Sequence, residues 1–163
     1  MKNIEYLLFK YIDVSINQNI PIDNYYKVEL FLPSLLNLKK HKGKISIYLF
    51  WYIFTIGRYK IVYLYKDTKI VHYSHIIPKF FKFPFMKFND LEIGPSWTDK
   101  NFRGQRFFPF VIDYIVEYFR EKDRDFYILV HTDNKASLNS IKKTNFELYS
   151  KVYKTSILGI YKR

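Results

Sequence analysis

At 163 residues, with 48% hydrophobic and 21% aromatic content, the chain can build one domain with a real core and is too apolar to be disordered. It has no cysteine, which excludes disulfides, thiolate metal sites and cysteine nucleophiles together and is compatible with a reducing, cytoplasmic setting. The formal charge of +12 directs attention to anionic partners, although a chain crowded with Lys, Ile, Asn, Phe and Tyr beside one alanine, Ala136, also carries the mark of AT-rich coding.

The N-terminal stretch "MKNIEYLLFKYID" is interrupted by Glu5 and Lys10 and lacks the apolar run of a signal peptide. Ile4, Leu7, Leu8, Tyr11 and Ile12 fall at helical spacing, so residues 3–14 read as an amphipathic helix. "YYKVELFL" (25–32) reads as a strand, and Pro33 begins a short helical connection. The first 44 residues are otherwise poorly defined. The uncharged stretch Ile45 to Gly57 is 13 residues long, short of the ~20 that a bilayer-spanning helix needs. Its β-branched and aromatic content suggests a buried strand over 45–55.

"RYKIVYLYKDTKIVHYSHII" follows as a hairpin, with strands near 59–66 and 69–77 around Asp67-Thr68. Prolines break "PKFFKFPFMKF" (78–88) into a loop in which aromatics alternate with lysines. "DLEIGPSWT" (90–98) is the next strand, and it runs into "NFRGQRFFPF". Beyond that, Phe107, Phe108, Val111, Ile115, Tyr118 and Phe119 mark an amphipathic helix over about 105–121. "FYILV" (126–130) is a strand buried on both faces. "DNKASLNSIKKTNF" opens with a capping residue, and its Asn145 suits a left-handed helix end, giving a helix of about 135–144. The last 18 residues form a final hairpin. Strand, loop, helix and strand from 90 to 131 make a crossover whose two strands are parallel, inside an otherwise antiparallel sheet. The fold class is α/β with a mixed, mostly antiparallel central sheet, as one domain over 1–163.

Two motifs carry chemistry. Arg103-Gly104-Gln105 at a helix start suits an anion, because first-turn N–H groups lack intrahelical partners and lie at the positive end of the helix dipole. Asn134 opens the second helix, with Ser137, Lys143 and Phe146 following at set spacing. Together, about 30 residues apart on either side of an apolar strand, they resemble the GNAT superfamily of acyl-CoA N-acyltransferases. The resemblance covers residues 90–146, extends to the final hairpin, and hardly touches the first 44 residues.

The resemblance implies acetyl-CoA or a related acyl-CoA as co-substrate, with an amine of a small molecule, such as an amino sugar, as acceptor. An acyl carrier protein donor and an O-acceptor are open alternatives. The pyrophosphate would be held by Arg103, Gly104, Gln105, Arg106, Phe107 and Phe108, and the pantetheine arm by Ser96, Trp97 and Thr98 opposite His131. Asn134, Ser137 and Lys143 belong to the second signature. Glu92 is the implied general base, with His75 or His72 as alternatives on opposite sides of one strand. Many relatives place a tyrosine acid where this chain has Ile141, which leaves Tyr149 or Tyr153 for that role. The acceptor would approach beside "HYSH", Glu92 and the 78–88 loop.

No Gly-x-Ser-x-Gly elbow, His-Glu-x-x-His or Walker loop is present, and four histidines without cysteine suggest no metal. Two rivals remain from other classes: a basic-aromatic protein binding single-stranded nucleic acid, and a GNAT-fold CoA binder without turnover. Eight of the fifteen acids lie between Asp90 and Asp125, which disfavours the first. A protein without a membrane span, located in the cytoplasm, is the expectation.

Overall fold

The computed structural model describes residues 4–13, 25–41 and 43–163. Its strands are β1 (Ile4–Tyr11), β2 (Tyr26–Phe31), β3 (Lys60–Lys66), β4 (Lys69–Pro78), β5 (Leu91–Thr98), β6 (Phe126–His131), β7 (Phe146–Lys154) and β8 (Tyr161–Lys162). The helices are α1 (Ile45–Phe54), α2 (Phe107–Phe119) and α3 (Lys135–Ile141), with a single 3-10 turn at Lys100–Phe102. All eight strands form one sheet in the order β2-β3-β4-β5-β6-β1-β7-β8. Every pairing is antiparallel except β5 with β6, so the mixed α/β sheet is as expected.

Alternation along the strands sorts side chains to two faces. Val62 and Leu64 join Val111, Ile112, Ile115 and Ile141 in a core beneath α2 and α3. Ile61 and Tyr63 point the other way, to Tyr48 of α1, while Phe80, Phe83 and Met86 of the 78–88 loop pack on Leu8, Tyr127 and Val152. That loop is thus folded over the sheet, and it covers the face that α1 leaves free. The β3–β4 hairpin turns at Asp67, whose φ is 54°.

Four expectations fail. Residues 4–11 are a strand, not a helix; β1 is inserted between β6 and β7, pairing Leu8 with both Leu129 and Ser150. Its helical spacing of apolar residues is misleading because a strand deep in a sheet is covered on both faces and need not alternate. Residues 45–54 are a helix, not a strand. Thr55 Oγ1 donates to the Trp51 carbonyl, and Ile56 and Gly57 take φ of 54° and 68°, which ends the helix. A short, uniformly apolar run fits either element. After β2 the chain makes a tight turn in which Ser34 and Asn37 exchange backbone hydrogen bonds, and no helix forms there. Asn145 also differs: it is not among the residues with positive φ, and α3 closes at Lys142. Among the described residues no helix is long and apolar enough to cross a membrane.

Candidate active site

Parallel pairing of β5 with β6 lasts for only two residue pairs, Leu91 with Phe126 and Glu92 with Tyr127. From Ile93 onward β5 turns toward β4, where Gly94 and Pro95 interrupt the register, and the two strands part. Two clefts open at this parting. One, of about 610 Å³, lies toward α2 and α3. The other, of about 490 Å³, lies toward α1 and the 78–88 loop. Tyr6, Pro95 and Leu129 line both, so the clefts meet through the gap in the sheet.

Most of the residues expected to hold an acyl-CoA gather in the first cleft: Ser96, Trp97, Thr98, Arg103, Gly104, Arg106, Phe107, Phe108, Asn134, Ser137 and Lys143, with His131 facing them. Gln105 is the exception. Its Oε1 accepts a hydrogen bond from the Tyr26 hydroxyl at 3.1 Å, which directs the side chain to β2. Arg106 is the N-cap of α2 with a φ of 60°, and it makes no side-chain capping bond. Phe107 is buried against Tyr26, and Phe108 packs on the core with its ring edge toward His72. The two aromatic side chains are therefore directed inward, away from the helix N-terminus. A Cβ on Gly104, whose φ is 82°, would meet nothing within 4 Å, so the loop has open space above it. Glycine is needed there for its backbone angle alone.

The end of β5 is fixed by a buried polar chain. His72 Nδ1 lies 2.8 Å from Thr98 Oγ1 and its Nε2 lies 3.0 Å from Ser74 Oγ, which is 2.7 Å from Ser96 Oγ. Burial pushes His72 down to about 3, so the ring is neutral and donates from one nitrogen only. Trp97 points to the opposite face and stacks on Tyr73. Asn134 Oδ1 accepts from the Ser137 N–H at 3.1 Å and caps α3.

Glu92 lines the second cleft and is buried. Burial raises its carboxyl well above the usual carboxylate range, opposed by a hydrogen bond from the Leu129 N–H. Gly94 leaves room for it: an added Cβ would stand 3.0 Å from Glu92 Oε1. His72 and His75 do lie on opposite faces, the first toward Phe108 of α2 and the second against Trp51 of α1 at 4.6 Å. Neither ring lines a cleft. His75 is enclosed, burial pushes it down to about 3, and its Nδ1 has no partner.

Tyr149 is not brought to the site. It lies outside both clefts with Lys10 and Arg163 over its ring, and Tyr153 is also outside them. The hydroxyls at the junction belong instead to Tyr6 and Tyr161. Their rings meet edge-on at 5.1 Å, and Tyr161 is raised by burial and by the nearby Tyr6 and Glu92. Sequence reasoning missed Tyr6 because it lies in the segment read as a helix. Ile141 lines the first cleft, where it presents only an apolar surface. Among the described residues no three His, Cys, Asp or Glu residues gather as a metal site would require.

No protein-family model matches this chain, and no curated protein does. Solved structures match across almost all of it. A GNAT-family acetyltransferase from Colwellia psychrerythraea aligns with 91% of this chain at a TM-score of 0.63 and 8% identity. A tandem GNAT protein of the clavulanic acid biosynthesis pathway aligns with 94% at a TM-score of 0.62 and 10% identity. A GNAT-family protein from Novosphingobium aromaticivorans aligns with 93% at 0.56 and 9% identity. The aligned region spans 53%, 52% and 62% of those chains, respectively. At such identities the likeness shows the fold.

Proposed function

We propose that this chain, which has the GNAT fold, moves an acetyl or related acyl group from acyl-CoA directly to the amine of a small-molecule acceptor. The observation that carries the reading is the meeting of two clefts at a gap in the sheet, with the Glu92 carboxyl beside it and Tyr6 shared by both. A donor and an acceptor held on opposite faces would there come into contact.

The first cleft suits an acyl-CoA: basic Arg103, Arg106 and Lys143 stand around a helix start with open space over Gly104. Bound there, the molecule supplies an activated thioester carbonyl. Strand edges freed where β5 leaves β6 offer backbone groups to an extended arm. Glu92, whose carboxyl burial raises well above the usual carboxylate range, takes a proton from the attacking amine, because a raised pKa makes a carboxylate a stronger base. Tyr6 offers its hydroxyl proton to the departing sulfur, a role that Ile141 cannot fill.

Acetyl-CoA at a hundredfold excess over its Kd should stabilise the fold by about 2.7 kcal/mol, with oligonucleotides having no comparable effect. Thiol release measured across a panel of amines and amino sugars tests turnover. Stabilisation without thiol release for any acceptor would reduce the chain to a CoA binder. Steeply salt-dependent oligonucleotide binding with no response to acetyl-CoA would overturn the reading altogether.

A further inference from the structure

The second cleft has a wall of aromatic side chains, including Phe50, Trp51, Phe80 and Phe83, and a floor at Glu92. Two lysines, Lys82 and Lys154, reach it from different elements. Their side chains converge: a Cβ built on Gly159 would lie 3.2 Å from Lys154 Cε and 3.7 Å from Lys82 Nζ. The Tyr161 N–H donates to the Lys82 carbonyl at 2.9 Å, tying the loop that carries one lysine to the hairpin that carries the other.

These two differ from the paired lysines of the chain. Lys10, Lys40, Lys69, Lys87 and Lys151 each have a carboxylate partner. Lys82 and Lys154 have none among the described residues, and their nearest partners are the rings of Phe50 and Tyr161. Glu92 shares the cavity without forming an ion pair to either lysine. Two cations held together beside an apolar wall, neither of them ion-paired to a carboxylate among the described residues, form a site for an anion.

We propose that Lys82 and Lys154 bind a carboxylate or phosphate group of the acceptor, so that the acceptor is an amine carrying a negative charge. Calling the bound molecule the acceptor rests on the acyltransferase reading; the anion site does not. The aromatic wall takes the carbon skeleton between the charged end and the amine. Both lysines also disfavour a protonated amine in the same cavity, which helps to present it as the free base that acyl transfer needs.

Calorimetry with matched probes tests this: 4-aminobutyrate against butylamine, and 2-aminoethyl phosphate against ethanolamine. The member of at least one pair that carries the anionic group should bind about tenfold or more tightly than the member that lacks it. Lys82→Gln and Lys154→Gln should each erode that advantage without weakening the binding of acetyl-CoA or of the amines that lack an anionic group. Whichever pair shows the larger advantage identifies the group as carboxylate or phosphate. Equal or undetectable binding within both pairs, or an advantage that survives in the double variant, overturns the proposal. Thiol release from acetyl-CoA in the same samples separates it from the reading it extends. Selective anion binding without thiol release leaves the site standing and removes the acyltransferase; equal release with amines that carry and lack the anionic group does the reverse.

Discussion

The Glu92 carboxyl lies beside the Leu129 backbone N–H, which opposes the upward shift from burial, where β5 and β6 have stopped pairing. The side chain is buried and has no cationic partner among the described residues. Glu92→Gln keeps an acceptor for Leu129 and removes the proton acceptor. Thiol release should fall by about 10²- to 10⁴-fold, while acetyl-CoA affinity is unchanged.

The same carboxyl sets a pH dependence of opposite sense for stability and for activity. Its folded pKa is raised, so its contribution to stability is complete below the ordinary carboxylate value and is lost as pH rises through the folded value. Activity that needs the ionised form rises over that interval. Thermal unfolding from pH 5 to 9 should show Glu92→Gln gaining on the parent protein as pH increases.

Gly94 and Gly104 separate two uses of glycine. Gly94→Ala places a methyl group 3.0 Å from Glu92 Oε1 and should depress turnover by displacing the base. Gly104→Ala meets no atom and bears only the strain of a φ of 82°, about 1 kcal/mol. Its effect should appear in acetyl-CoA affinity, with thiol release at saturation largely kept. Titration calorimetry and steady-state kinetics on the two variants distinguish these outcomes.

Tyr6 and Tyr149 form a matched pair of tests. Tyr6→Phe should lower kcat by about tenfold or more with little change in the binding of acetyl-CoA. Tyr149→Phe, which alters a ring lying between Lys10 and Arg163 outside both clefts, should leave kcat as it is.

Asp113 provides a check away from the clefts. Burial within α2 raises it to about 6, and Arg106 pulls in the opposite direction. Its stabilising contribution is present below the ordinary Asp value and is lost as pH rises through about 6. At pH 8 Asp113→Asn should therefore be more stable than the parent by about 1 kcal/mol, reduced from the fully buried limit because the group is only half-buried. Chemical denaturation at pH 5 and pH 8 would reveal the difference.

Legibility in the sequence followed how local the interactions are. The β3–β4 hairpin announces itself through Asp67-Thr68, and α2 through the three- and four-residue spacing of Phe108, Val111, Ile115 and Phe119. Asn134 marks a helix start that the structure keeps. By contrast, β1 is specified by partners at residues 126–131 and 146–154, which no local pattern can reveal. Helix α1 carried one overlooked stop signal, Gly57, whose N–H donates back to the Tyr52 carbonyl. The candidate site divides in the same way. Its loop and second motif were readable as strings, whereas Tyr6, Tyr161, Lys82 and Lys154 come together only once distant strands have paired.

The insertion of β1 between β6 and β7 also imposes an order on folding. Residues 4–11 find their neighbours only after more than 110 intervening residues are available, and a closure of that length is the kind that slows a folding reaction. Until it happens the sheet is two separate pieces, one with β2 to β6 and the other with β7 and β8. Neither cleft then has its Tyr6 wall, so the appearance of ligand binding during refolding would time the arrival of this one strand.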